Sequence, residues 1–190
     1  LGFQALGRLP EAEEPFRVSR KKYIEQEAWG KAATTSENLT ILYLTQGLVE
    51  KAVAVAKEGV DYADRSKEAF QRLILRADLA DALHQRGERE KAEALFQEAE
   101  EVQKGDSLYH TLYSLQGFRY CDLLLTEAER EAGKAEGGIT KEVLLAVCRA
   151  VSERAARTLK WVEVAGAPLF TIAVDPRTRR QEFPGWGTSL

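Results

Sequence analysis

Apolar residues recur by threes and fours along most of residues 1–164, the spacing that lines one stripe of an α-helix. From about Gln26 to Gln46 the set is Trp29, Ala33, Leu39, Leu42 and Tyr43. From about Leu48 to Ala63 it is Ala52, Val55, Ala56, Val60 and Ala63. The pattern then recurs as Leu73, Ala77, Ala80 and Leu83, followed by Ala92, Leu95, Phe96 and Ala99. A fourth segment, from near Leu108, carries Leu112, Leu115, Phe118, Leu123 and Leu125. Its partner helix is expected to start near Glu127 and to be interrupted by Gly133 and Gly137-Gly138. Thr140 reads as the N-cap of a long last helix from Lys141 to about Val164. That helix has Val143, Leu144, Val147, Val151, Ala155, Leu159 and Val162 on one face.

The turns repeat as regularly as the helices. Gly7, Gly47 and Gly87 are forty residues apart, and each is followed five residues later by an alanine: Ala12, Ala52 and Ala92. One more step would put a glycine at 127, where Glu127 stands, and an alanine at 132, where Ala132 fits. Glycine tolerates the left-handed conformation that closes a helix. The small alanine lets two helices of a hairpin approach closely. The turns between hairpins are expected at Asp64-Arg65-Ser66 and Gly105-Asp106-Ser107, where Asp and Ser can cap the following helices. The units therefore fall near residues 1–25, 26–65, 66–105 and 106–138, with a final helix at 140–164. From Gly166 the character changes. Pro168, Pro176 and Pro184 with Gly185 and Gly187 forbid a long helix, so 165–190 reads as a tail. It holds a basic cluster at Arg177, Arg179 and Arg180, a short strand-like stretch from Leu169 to Val174, and Phe183 and Trp186 as potential docking anchors.

Composition narrows the function classes. Hydrophobic residues make up 44% and charged residues 30%, a balance for a folded helical protein, and the net charge of −3 gives no general attraction to nucleic acid or anionic membrane. No apolar run is long enough to cross a bilayer, and no secretory signal opens the chain. Cys121 and Cys148 have apolar neighbours and are expected as buried thiols, which points to a reducing, cytoplasmic setting. The chain has no methionine and opens on Leu-Gly-Phe-Gln-Ala-Leu-Gly, which reads as the tail of a helix and suggests a fragment of a longer polypeptide.

Signals for catalysis are absent from the text of the chain. Gly133 to Gly138 lacks the ending and the preceding strand of a phosphate-binding loop. His84 and His110 stand on different units with no cysteine at ligand spacing, so neither metal nor cofactor is expected. The acidic runs Glu11, Glu13, Glu14 and Glu98, Glu100, Glu101 read as solvated faces, and the basic stretch Arg17, Arg20, Lys21, Lys22 as a surface helix.

The glycine, the alanine five residues on and the aromatic four after that resemble the second-helix pattern of the tetratricopeptide repeat (TPR) family. Gly7-Ala12-Phe16 and Gly87-Ala92-Phe96 match in full, Gly47-Ala52-Ala56 lacks the aromatic, and Ser19, Gly59 and Ala99 take the later small position. The forty-residue period is longer than the common repeat and resembles a bacterial variant. The resemblance implies an all-α superhelix, a solenoid of antiparallel helix hairpins, that binds a protein or peptide and is not an enzyme. It implies that the first helix of each unit lines a concave face. On it would lie Glu37, Asn38 and Thr45 in the second unit, and Asp78, Asp81, His84 and Gln85 in the third, with Thr34, Ile41, Leu44, Ile74, Ala77, Gly117, Phe118 and Cys121 nearby. Each has a plainer reading. Asn38 can satisfy an inter-helix backbone carbonyl, Asp78 and Asp81 can form a solvated face, His84 suits a helix C-terminus, and Ile41, Leu44 and Ile74 can be ordinary packing. Ile74 and Asp78 stand where a family clamp for acidic chain ends would need Lys and Arg, so that mode is not expected. A self-associating scaffold and a regulatory part of a signalling ATPase or other enzyme are the alternatives.

Overall fold

The computed structural model describes residues 9–106, 110–132 and 140–164. Among them are seven helices: α1 Leu9–Glu25, α2 Trp29–Thr45, α3 Val49–Ser66, α4 Ala69–Gln85, α5 Arg89–Asp106, α6 Ser114–Ala132 and α7 Lys141–Val164. No strand occurs among the described residues. Residues 1–152 form one compact unit and 153–190 another, the division falling inside α7. The expected turn at Gly7, the glycines at 133–138 and the tail at 165–190, with its basic cluster and anchors, lie outside the described residues.

The forty-residue period appears in the helix bounds themselves. Shifting α2 by forty gives α4, and shifting α3 by forty gives α5, at both ends. The turns repeat too. Gly47 and Gly87 are left-handed, with φ of 72° and 86°. Around each, the chain closes the helix with the paired bonds of a Schellman turn. Leu48 N donates to Tyr43 O at 2.8 Å and Gly47 N to Leu44 O at 3.0 Å; Glu88 N donates to Leu83 O and Gly87 N to His84 O, both at 2.9 Å. The turns between hairpins also repeat, through left-handed Glu27 (φ 53°) and Lys67 (φ 61°), which lack the glycine that eases this conformation.

Each helix from α1 to α5 packs on the next, and α4 also packs on α2 and α6. The alanines placed at the hairpin contact are buried: Ala12, Ala52 and Ala92. Gly59 carries the same logic to its limit, since a Cβ there would lie 2.6 Å from Leu75 Cδ1 and 3.0 Å from Ser36 Cβ. Because α4 has neighbours on four sides, it is buried almost continuously from Ile74 to Leu83. Phe96 of α5 stacks on Tyr120 of α6 with ring centroids 4.9 Å apart. The basic stretch of α1 is tied down locally. Arg20 donates to Ser36 Oγ at 2.9 Å and pairs with Glu58, while Arg17 pairs with Glu14.

Five expectations change, most of them after α5, where the chain departs from its own period. Asp64-Arg65-Ser66 is the last turn of α3, with the reversal at Lys67-Glu68; Ser66 Oγ accepts from Glu68 N at 3.2 Å, but α4 has no side-chain cap. Gly105 and Asp106 still belong to α5, and Ser107 lies outside the described residues. Glu127 lies within α6 and starts no new helix, because the apolar stripe runs on past it through buried Leu123 and Ala128. The start of α6 is delayed to Ser114 because residues 111–112 are held in a non-helical path: Gln103 Nε2 donates to Thr111 O at 2.5 Å, and Glu100 Oε1 accepts from Leu112 N at 2.9 Å. Thr140 caps α7 as expected, accepting from Val143 N at 3.4 Å. Cys148 is exposed on α7 and Cys121 half-buried, so neither is the buried thiol that its apolar neighbours suggested. The apolar face of α7 is in part open to solvent, as exposed Val143 and Leu159 show.

Candidate functional site

The displaced start of α6 opens a cleft. Its volume is about 440 Å³, within the range of ~300–1,000 Å³ typical of ligand pockets. Glu37 of α2 forms one wall, Ala69, Phe70, Leu73 and Ile74 of α4 the floor and one rim, and Val102 and Gln103 the end of α5. Tyr113, Ser114, Leu115 and Gln116 close the other rim. Phe70 is 66% exposed, Leu115 48% and Tyr113 41%, so a run of apolar surface faces water around this opening. Among the described lining residues only Glu37 and Tyr113 are titratable.

Charge is buried beside the cleft. Asp78 is 1% exposed and Asp81 8%. Arg119 of α6 pairs with Asp78 through Nη1 and with Asp81 through Nε at 3.1 Å. Burial pushes the Asp78 carboxyl up to about 7; Arg119 pulls it down, while Glu37 and Asp81 push it further up. Asp78 Oδ2 is buried and has no hydrogen-bond partner among the described residues. Burial likewise raises Glu37 above the usual carboxylate range, against the pull of Arg119.

The residues expected on one concave face therefore part into groups. Glu37 lines the cleft. Asp78 and Asp81 are not a solvated face: α6 lies over this side of α4 and brings Arg119 onto them. Gln85 Nε2 donates to Asp81 Oδ1 at 3.3 Å, and His84 Nε2 lies 3.4 Å from Asp122 Oδ2, so both belong to the α4–α6 seam. Asn38 Nδ2 donates to Thr34 O at 2.9 Å, a carbonyl of its own helix and not the inter-helix carbonyl expected of it. Thr45 Oγ1 donates to Ile41 O at 2.8 Å in the same way. Sequence reasoning missed Phe70, Leu73, Tyr113 and Leu115 as one lining. Their coming together depends on the broken register after α5, which no period reveals. Arg119 left a visible signal, a cation set among the apolar residues of the first half of α6.

Among the described residues no group of three His, Cys, Asp or Glu side chains is placed to hold a metal ion. No helix among them is long and apolar enough to cross a membrane. Compared with protein-family models, curated proteins and solved structures, the chain finds no match.

Proposed function

We propose that this chain is a helical-repeat recognition module of the TPR kind, built as a solenoid of hairpins, that binds a segment of a protein partner and is not itself an enzyme. The observation that carries the reading is the cleft, where an apolar floor meets exposed Phe70, Tyr113 and Leu115 around an open cavity of about 440 Å³. Apolar surface gathered at a concavity is what a binding site requires and what a folded surface otherwise avoids. The duplicated helix bounds and left-handed turns support the repeat assignment.

The partner-binding face is then the cleft with Glu37, while Asp78, Asp81, His84 and Gln85 hold α6 in the position that forms its rim. The test is selection from a random peptide display library on the immobilised chain, with counter-selection on a Phe70→Ser/Leu115→Ser variant. The reading predicts sequences retained by the parent chain and lost by the variant. Sequences retained equally by both would move recognition away from the cleft, and no enrichment would contradict peptide recognition.

A further inference from the structure

The chemistry of the occupant can be taken one step further, resting on the reading of the cleft as a binding site. Glu37 is half-buried in a wall that is otherwise mostly apolar, and has no hydrogen bond or ion pair among the described residues. The cation nearest in influence, Arg119, is committed to Asp78 and Asp81. The arginines of α4 are paired elsewhere, Arg72 and Arg76 with Asp64 and Arg76 also with Glu98. Glu37 on the wall of the cleft and the acids Asp78 and Asp81 buried beside it thus share one guanidinium.

Each class of occupant meets this wall differently. A purely apolar segment would take Glu37 further out of water without a counter-charge, which is costly. An acidic segment would add a like charge to an excess of carboxylates. A basic group supplies the missing partner, and the long apolar stem of lysine or arginine suits the walls. We infer that the cleft takes a polypeptide segment in which an aromatic or aliphatic side chain, seated against Phe70, Leu73 and Leu115, adjoins a lysine or arginine whose charge meets Glu37.

The test is fluorescence anisotropy of the full chain with labelled Gly/Ser-framed peptides carrying Phe-Arg, Phe-Glu or Gly-Arg at their centre. The Phe-Arg peptide is expected to bind at least about tenfold more tightly than the Phe-Glu peptide, the scale of one charge-assisted contact. Glu37→Gln should abolish that preference and Glu37→Lys should invert it. Phe70→Ser should weaken the Phe-Arg peptide to the level of the Gly-Arg one, and Glu101→Gln, on an exposed face, should change nothing. Far-ultraviolet circular dichroism confirms that each variant is folded. Equal binding of the Phe-Arg and Phe-Glu peptides, or a preference that survives Glu37→Gln, would overturn the inference. If display-selected peptides bind in a Phe70-dependent way without a basic residue, the inference falls and the recognition module stands. If no peptide binds at all, both fall.

Discussion

At the scale of single residues, backbone conformation and burial decide the outcome. Gly47 and Gly87 hold left-handed positions in open space, so a side chain there would clash with nothing and cost only backbone strain. Gly87→Ala is expected to lower stability by about 1 kcal/mol. The converse holds at the other turns, where Glu27→Gly or Lys67→Gly should raise stability by roughly 0.5–1 kcal/mol. Urea unfolding checks both, as opposite shifts in midpoint at constant slope. Opposite signs at Gly87 and Glu27 would be hard to obtain from any arrangement other than these turns. Ala92 has no exposed surface at its hairpin contact, and Ala92→Glu would bury an unpaired charge there. It should cost about 3–5 kcal/mol or prevent folding; an unchanged melting temperature would disprove the packing. These positions were legible in the sequence because their spacing alone marks them. The left-handed Glu27 and Lys67 were not, since nothing in a glutamate or a lysine announces a positive φ.

At the scale of helices, the joint between α4 and α6 is electrostatic as well as apolar. Asp78 is the group to watch, with Arg119 facing it from α6, Asp81 beside it on α4 and Glu37 across from α2. Its folded value of about 7 stands above the ordinary 3.8, so the folded state holds a proton that the unfolded chain has lost between those values. Its contribution to stability is therefore fully present below about pH 4 and is lost as pH rises through about 7. Glu37, also raised, acts in the same sense. Asp64 acts in the opposite sense: its hydrogen bond from Arg76 lowers it, so its contribution is lost as pH falls below the usual carboxylate range. Asp78→Asn should flatten the fall in stability between about pH 4 and 7, measured by urea unfolding across that range. Arg119→Met should cost about 3–5 kcal/mol by leaving two buried carboxylates without their cation. The helices of the second and third units were legible from period and turn. Where α6 begins was not, because the bonds of Gln103 and Glu100 to residues 111–112 override a pattern that predicts an earlier start.

At the scale of the compact unit formed by residues 1–152, regularity and its interruption divide the labour. The repeated hairpins bury small residues at fixed intervals, while the irregular entry to α6 leaves a concavity edged by aromatic and aliphatic side chains. Two of the expected concave-face residues, Glu37 and Ile74, line the site. The buried acids of α4 were read as surface because the helix that covers them follows no repeat. Recognition through Glu37 also carries a pH dependence. A basic peptide needs the ionised carboxylate, and Glu37 gives up its proton later than an ordinary glutamate because of burial. Affinity for a Phe-Arg peptide should therefore weaken on acidification while the chain remains folded, and Glu37→Gln should remove that dependence. The most direct test of the account is an NMR titration of the isotope-labelled chain with a display-selected peptide. The account predicts that the largest amide shift changes fall on Phe70, Leu73, Val102 and Leu115, with Glu37 among them. Changes concentrated on the outer faces of α1 and α3, with those residues unmoved, would contradict it.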